Sequence, residues 1–331
     1  MRLGLTGDVM LGRKVDERQR RRSVEAVWGD VLDRLRDLDG LFVNLECCLS
    51  TGGRPWRRTN RPFHFRADPD WAVPALEAAG VDFASLANNH VLDFEEPALF
   101  DTLDHLDAAG IEHAGAGRDE REALEPAIVE VGGLRIAVIA LTDNTPEYAA
   151  GPDSPGTARV EIDVDDPETR ETVDRALELA GRADPDLLVA SLHWGPNMVV
   201  DPPEAFEEFA HWLVDRGVDL IHGHSAHVFQ GGELYEGSPI LYDCGDFVDD
   251  YRVDRELRND RSFLFELEMA DGTVEELRLV PVEIEDCAVH LASPRTAEWS
   301  RDRMRERSEP FGTEFERVPV EGAPDGLAVS L

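Results

Sequence analysis

Leu187-Leu188-Val189-Ala190-Ser191-Leu192-His193-Trp194-Gly195 is an apolar run that ends abruptly in a histidine, a tryptophan and a glycine. It is too short for a helix of ordinary length and reads as a buried strand. Stretches of helical spacing flank it, Pro167–Ala180 before and Glu204–Arg216 after, and a second strand-like run, Asp219–His222, follows. Outward from there the alternation continues. Strands are expected near Arg2–Thr6, Leu41–Leu45, Asp82–Leu86, Ala127–Val131, Leu134–Leu141 and Ile240–Tyr242, and helices over Ser23–Leu38 and Glu95–Ala109. Gly110 and Gly217 stand where helix-ending glycines belong. This order of elements predicts an α/β fold, a layered β-sandwich flanked by helices. Ser262–Glu268 and Thr273–Glu283 read as a late antiparallel hairpin turning at Asp271-Gly272. Beyond about Ser293 the chain turns Arg/Glu-rich and then Pro/Gly-rich. The expected division is therefore a domain over 1–292 and an extension over 293–331, with a short exposed helix near Ala297–Arg307 and a loose tail.

The chemistry-bearing residues collect where strands are expected to end. Thr6-Gly7-Asp8 follows Leu3-Gly4-Leu5, and Asn44-Leu45-Glu46 follows Leu41-Phe42-Val43. Ala87-Asn88-Asn89-His90 follows the third strand, and His222-Gly223-His224-Ser225-Ala226-His227 the seventh. Oxygen and nitrogen donors gathered at strand ends are the makings of a metal site. Each residue alone has a plainer reading. Asp8 also suits a turn cap, Glu46 a solvated strand end, and Asn89 or Asp93 a helix cap before Glu95. Three histidines within His222–His227 are hard to assign to packing. His64, His105, His113, His211 and His290 lack such company and read as structural. Cys47 and Cys48 form no CxxC pair and read as small buried residues rather than thiolate ligands.

The ordered set resembles the CapA family of poly-γ-glutamate capsule biosynthesis proteins, relatives of calcineurin-like metallophosphoesterases. It comprises Gly7-Asp8, Asn44-Leu45-Glu46, Asn88-Asn89-His90 with Asp93, His193-Trp194-Gly195, the His222–His227 cluster and Gly245-Asp246-Phe247, over roughly 1–290. The resemblance implies a calcineurin-like metallophosphatase fold and two divalent transition metals, Mn, Fe or Zn. It implies Asp8, Glu46, Asn89, His193, His224 and His227 as metal ligands, with Glu46 bridging. His90 would be a general acid oriented by Asp93. This chain departs from the phosphoesterase pattern at Met10, where a His is usual, at Glu46 in place of Asp, and in the spacing of His224 and His227. Either His222 or His227 is open as the partner of His224. The implied function is phosphoesterase-type hydrolysis linked to capsule polymer synthesis. γ-Glutamyl amide hydrolysis or ligation, or a non-enzymatic metal-stabilised assembly subunit, are the alternatives.

Of 331 residues, 69 are acidic and 33 basic, for a net charge of −36. Lys14 is the sole lysine. Such a chain repels itself at low salt, which points to a halophile's cytoplasm and away from nucleic acid as a partner. No run approaches the ~20 apolar residues of a membrane span, and the start of the chain does not read as a signal peptide. Against this acidity, Arg54, Arg57, Arg58, Arg61 and Arg66 cluster around Trp56, Phe63 and His64. Arg57, Arg58 and Arg61 are candidates to receive an anionic small molecule or polyglutamate through forked hydrogen bonds; a solvated loop paired with surface acids is the alternative. Arg13 and Lys14 also suit an anion. Specificity is expected from the loops Gly52–Arg66 and Thr142–Gly156. The melting temperature is expected to rise as KCl goes from about 0.1 to about 1 M, where the Debye length shrinks from about 10 to about 3 Å. A salt-independent melt would remove the argument from charge.

Overall fold

Apolar strands with no polar face must be covered on both sides, and two sheets stacked between helices do this here. The structure is a computed structural model that describes residues 1–270 and 272–331. In the ten-stranded sheet, Arg2–Val9 has Gly40–Leu45 as its parallel neighbour, followed by Phe83–Ser85 and Glu112–Ala114. On its other side run Arg261–Ala270, Thr273–Glu285, Gly326–Ser330 and Glu316–Val318, all antiparallel. The six-stranded sheet orders Gly232–Tyr235, Ser238–Leu241, Leu220–His224, Leu187–His193, Leu134–Thr142 and Ala127–Val131.

Side chains alternate between faces along a strand, and the buried clusters follow that period. Leu3, Leu5, Phe42 and Phe83 from the first sheet meet Ile136, Val138, Val189 and Leu220 from the second in one central core. The opposite face of the first sheet, Leu41, Val43 and Leu45, packs with Ala72 and Leu76 of the helix Pro69–Ala79 and Leu99 and Leu103 of Glu95–Ala109. The outer face of the second, Ile139, Leu141, Ala190 and Leu192, packs with Val173 of Pro167–Gly181 and Phe209 of Glu204–Val214. The layers are thus helix, sheet, sheet, helix. Among the described residues, no helix is long and apolar enough to cross a membrane.

Three local expectations change. Ser23–Leu38 is not one helix but a 3-10 segment, Val24–Val31, and a short α-helix, Leu32–Arg36. The kink lies inside the first of these, at Gly29 with φ +47°, where a Cβ would lie 2.3 Å from the Val289 carbonyl oxygen. Helical periodicity persists across such a break, so the sequence alone does not reveal it. The helix Pro69–Ala79 is an addition to the expected set, although its local signals are clear: Asp68 accepts from the Asp70 N–H, Pro69 opens the helix and Gly80 ends it at φ +75°. Pro74 in its interior obscures the pattern.

The third change is at the end of the chain. The helix Pro294–Ser308 is not simply exposed; it buries Ala297, Ser300 and Met304. The tail is not loose, because Gly326–Ser330 extends the first sheet with Leu327 opposite Leu279. Long-range pairing of this kind leaves little local trace in an Arg/Glu-rich segment. The hairpin Arg261–Ala270 and Thr273–Glu285 pairs down to Ala270 opposite Thr273; Asp271 of its expected turn lies outside the described residues. Leu327 is fully buried, so Leu327→Ala is expected to cost about 2–5 kcal/mol, read from urea midpoints at constant high salt. A change below about 0.5 kcal/mol would mean that this segment is not part of the cooperative unit.

Candidate metal centre

The parallel strands of both sheets present their C-terminal ends along one edge of the sandwich, which is where α/β proteins build sites. Strand register decides which side chains meet there. In the first sheet Asp8 is the register partner of Asn44 on one side and of Asp246 on the other. In the second, His193 is the partner of His224. Pairing shifts between Leu5 and Asp8, a local irregularity of the kind that re-aims a side chain. The backbone there is crowded: a Cβ on Gly7 would lie 1.7 Å from the Gly245 carbonyl oxygen.

Two donor groups share Asp8. Ligand atoms of Asp8, His193 and His224 lie within 4.8 Å of one another, as do those of Asp8, Glu46 and His227. All five residues are buried. In the first group, His193 Nδ1 and His224 Nδ1 are 3.0 Å apart and face Asp8 Oδ1 at 3.9 and 4.0 Å. Asn44 Nδ2 donates to Asp8 Oδ1 at 2.6 Å and fixes the carboxylate. In the second group, His227 Nδ1 lies 3.2 Å from Asp8 Oδ2, and the Tyr251 hydroxyl donates to Glu46 Oε2 at 3.2 Å. The turn that swings His227 back has φ +115° at Ser225 and +59° at His227. It is held by Asp243, which accepts from the Ala226 N–H at 2.6 Å and the Gly245 N–H at 2.7 Å.

His90 stands beside the second group. Its Nδ1 donates to Asp93 Oδ2 at 2.5 Å, and its Nε2 is 3.8 Å from Glu46 Oε1. Asp93 also accepts from the Phe65 N–H and the Tyr148 hydroxyl. Every partner of Asp93 is a donor, so its carboxylate accepts from the Nδ1–H and leaves Nε2 turned toward Glu46. The His90 ring stacks on Phe65 with centroids 3.7 Å apart. Next to it opens a cleft of about 500 Å3 whose lining includes Arg61, Phe63, Asn89, His227, Tyr251 and Arg252.

Burial raises Asp8, but His227, His193 and His224 around it outweigh this and hold its carboxyl well below the usual range. Burial, then the charge of Asp8, pushes Glu46 well up. Burial lowers His193 to about 3 and His224 well below its ordinary value, so both rings are neutral and able to ligate. His227 goes the other way: burial opposes its charge, but Asp246 and Glu46 win and raise it well above the imidazole range. Asp8 Oδ2, Glu46 Oε1 and Asp246 Oδ2 are buried oxygens without a well-formed hydrogen bond. Unpaired buried carboxylate oxygens are costly, and mixed carboxylate and imidazole donors suit Mn, Fe or Zn. The residues present therefore fit divalent cations.

Asp8, Glu46, His193, His224 and His227 converge as the two groups. Asp8, rather than Glu46, is the residue common to both. Asn89 Oδ1 lies 3.1 Å from His193 Nε2, on the side of the ring away from Asp8. His222 is in neither group; its Nε2 donates to the Thr6 carbonyl at 2.7 Å and ties one sheet to the other. Neither Asn89 nor Asp93 caps the helix Glu95–Ala109, whose N-cap is Phe94. Of the arginines, Arg61 lines the cleft and donates to Thr145 Oγ1 and to the Asn89 carbonyl. Arg58 instead pairs with Glu96 at 2.6 Å, and neither it nor Arg57 is among the cleft-lining residues. Arg13 is taken by Asp250 at 2.5 Å. Cys47 and Cys48 are buried, and burial pushes the Cys47 thiol up to about 12. The sequence assigns no role to Arg252, Tyr251, Asp243 or Asp246; the one signal for them is their place in or near Gly245-Asp246-Phe247.

Two sheets whose parallel strand ends gather buried carboxylates and imidazoles define an α/β protein with a candidate metal centre. A family model described as bacterial capsule synthesis protein PGA_cap matches residues 2–251, and the chain belongs to that family. A probable polyglutamine synthesis accessory protein of Mycobacterium tuberculosis is 34% identical over 98% of this chain and 94% of its own length. The capsule biosynthesis protein CapA of Bacillus anthracis is 28% identical over 91% of this chain and 70% of its own. The PGA biosynthesis protein CapA of Bacillus subtilis is 25% identical over 91% and 74%. A hypothetical protein of Thermus thermophilus shares the fold with a TM-score of 0.51 and 19% identity, over 86% of this chain and 99% of that one.

His222→Ala is expected to cost about 1–3 kcal/mol by stranding the Thr6 carbonyl, with bound metal unchanged. Loss of metal in a folded His222→Ala would place this ring in the centre after all.

Proposed function

We propose that this chain is a two-metal hydrolase of the calcineurin-like metallophosphoesterase type, acting on an anionic phosphate ester. The observation that carries this reading is Asp8, one buried carboxylate shared by two donor groups. Asp8, His193 and His224 would hold one ion, with Asn89 orienting His193 through its other ring nitrogen; Asp8, Glu46 and His227 would hold the other. Mn, Fe and Zn suit these donors. A pair of divalent cations supplies Lewis acidity and charge neutralisation to a hydrolytic reaction.

The side chains supply the rest. Asn44 holds Asp8 and Tyr251 holds Glu46 in place. His90, with its Nδ1–H anchored on Asp93, turns Nε2 to a leaving oxygen beside Glu46; burial lowers the ring below the usual imidazole range, so it acts as general acid once it has taken a second proton at Nε2. Phe65 closes one face of that ring to water. Arg61 and Arg252 line the cleft and are suited to an anion. The acidic composition supports a high-salt setting and a cytoplasmic location.

The names of the Bacillus relatives favour a second reading, in which the same centre acts on a γ-glutamyl amide of a polyglutamate. The word accessory in the name of the mycobacterial relative favours a third, a metal-stabilised assembly subunit without turnover. Metal analysis by elemental mass spectrometry, on protein purified in high salt without chelator, is expected to give about two ions per chain. A ratio near zero that added Mn, Fe or Zn does not restore would overturn the hydrolase. His90→Ala is expected to lower phosphodiester turnover about 10²–10⁴-fold with metal retained. Turnover confined to γ-glutamyl substrates would favour the second reading, and metal without turnover on either the third.

A further inference from the structure

We propose that Asp246 is a fourth ligand in the second donor group, beside Asp8, Glu46 and His227. The inference rests on the two-metal reading above. Asp246 opens the strand Asp246–Val248, which pairs in parallel with Arg2–Val9 and puts Asp246 in register with Asp8. Register partners project to the same face, and the His227 ring stands between the two carboxylates, with Asp246 outside the groups whose donors all lie within 4.8 Å of one another. His227 Nδ1 is 2.8 Å from Asp246 Oδ1 and 3.2 Å from Asp8 Oδ2. Donors on one ion with bonds of about 2.0–2.2 Å sit about 3 Å apart, so these separations suit neighbouring ligands.

The unsatisfied oxygen of Asp246 gives an independent reason. Asp246 is fully buried, and its Oδ2 accepts no hydrogen bond. Among the described residues its one ion-pair partner is His227, which also faces Asp8. Nearby Asp249 is a further acid with an unpartnered buried oxygen, and Arg13 is already matched by Asp250. A buried carboxylate oxygen without a partner is costly, and a divalent cation would supply one. Met10 adds no donor, because its sulfur accepts from the Gly12 N–H at 3.1 Å.

The competing role is a positioning one, in which Asp246 only orients His227. An amide oxygen would serve that purpose as well but ligates a divalent ion more weakly than a carboxylate, so the size of the loss in Asp246→Asn separates the two. Metal-free protein in high salt is titrated with Mn2+, and free ion is read by electron paramagnetic resonance. Wild type is expected to bind about two ions per chain. Asp246→Asn is expected to bind one of them more than about a hundredfold more weakly, beyond the range of outer-shell changes, and Asp246→Glu to recover it. Two ions in Asp246→Asn with less than that weakening would overturn the assignment and leave the two-metal reading intact. No binding in wild type would overturn both. Should Asp246→Asn fail to fold by circular dichroism, anomalous diffraction from Mn-loaded wild type decides. An ion about 2.2 Å from an Asp246 oxygen supports the assignment, and one beyond about 3.5 Å refutes it.

Discussion

The carboxylate of Asp8 is the constraint around which the rest is arranged. It is fully buried, yet flanking imidazoles hold it well below the usual carboxyl range. A charge in that position is stable only if donors or cations reach it. Asn44 reaches one oxygen through strand pairing, and His227 reaches the other because a left-handed turn brings it back. His193 and His224 approach from the second sheet. Both sheets must therefore end at the same place, and the His222 bond to the Thr6 carbonyl holds them there.

Around this centre the protein inverts its own average. A chain of net charge −36 brings Arg61 and Arg252 to the cleft beside the buried acids. Many of its other arginines are matched: Arg58 with Glu96, Arg13 with Asp250, and Arg34 with the buried Glu266. Arg61 is itself paired, with Asp93 at 3.7 Å, so its place in the cleft lining rather than a free guanidinium sets it apart from Arg58. Trp56 and Phe65 shape the same loop, Trp56 packing edge-on to Tyr148 and Phe65 stacking on His90.

Much of this was legible in the chain. The strand-end motifs identified Asp8, Glu46, His193, His224 and His227 because short apolar runs mark strands and polar punctuation marks where they stop. The helices Glu95–Ala109, Pro167–Gly181 and Glu204–Val214 kept their periodic signature. What escaped notice depended on distant partners. Gly29 breaks a periodic stretch because Val289 passes against it. Leu327 looks like part of a polar tail until Leu279 is placed opposite. Asp246 stands in the Gly245-Asp246-Phe247 motif without an assigned role until its register with Asp8 is known.

The sequence by itself determined the alternation of elements and the residue types that gather at the strand ends, since these follow from local spacing and side-chain chemistry; its ordered motifs carried the resemblance to the family. Tertiary structure alone decided that Asp8 is the shared carboxylate, that His222 serves the sheets and not the donor groups, and that Arg61 rather than Arg58 faces the cleft. Register and layer packing set those outcomes. A shift of a single residue in pairing exchanges the faces of a strand, and nothing in the local sequence specifies which strand lies alongside.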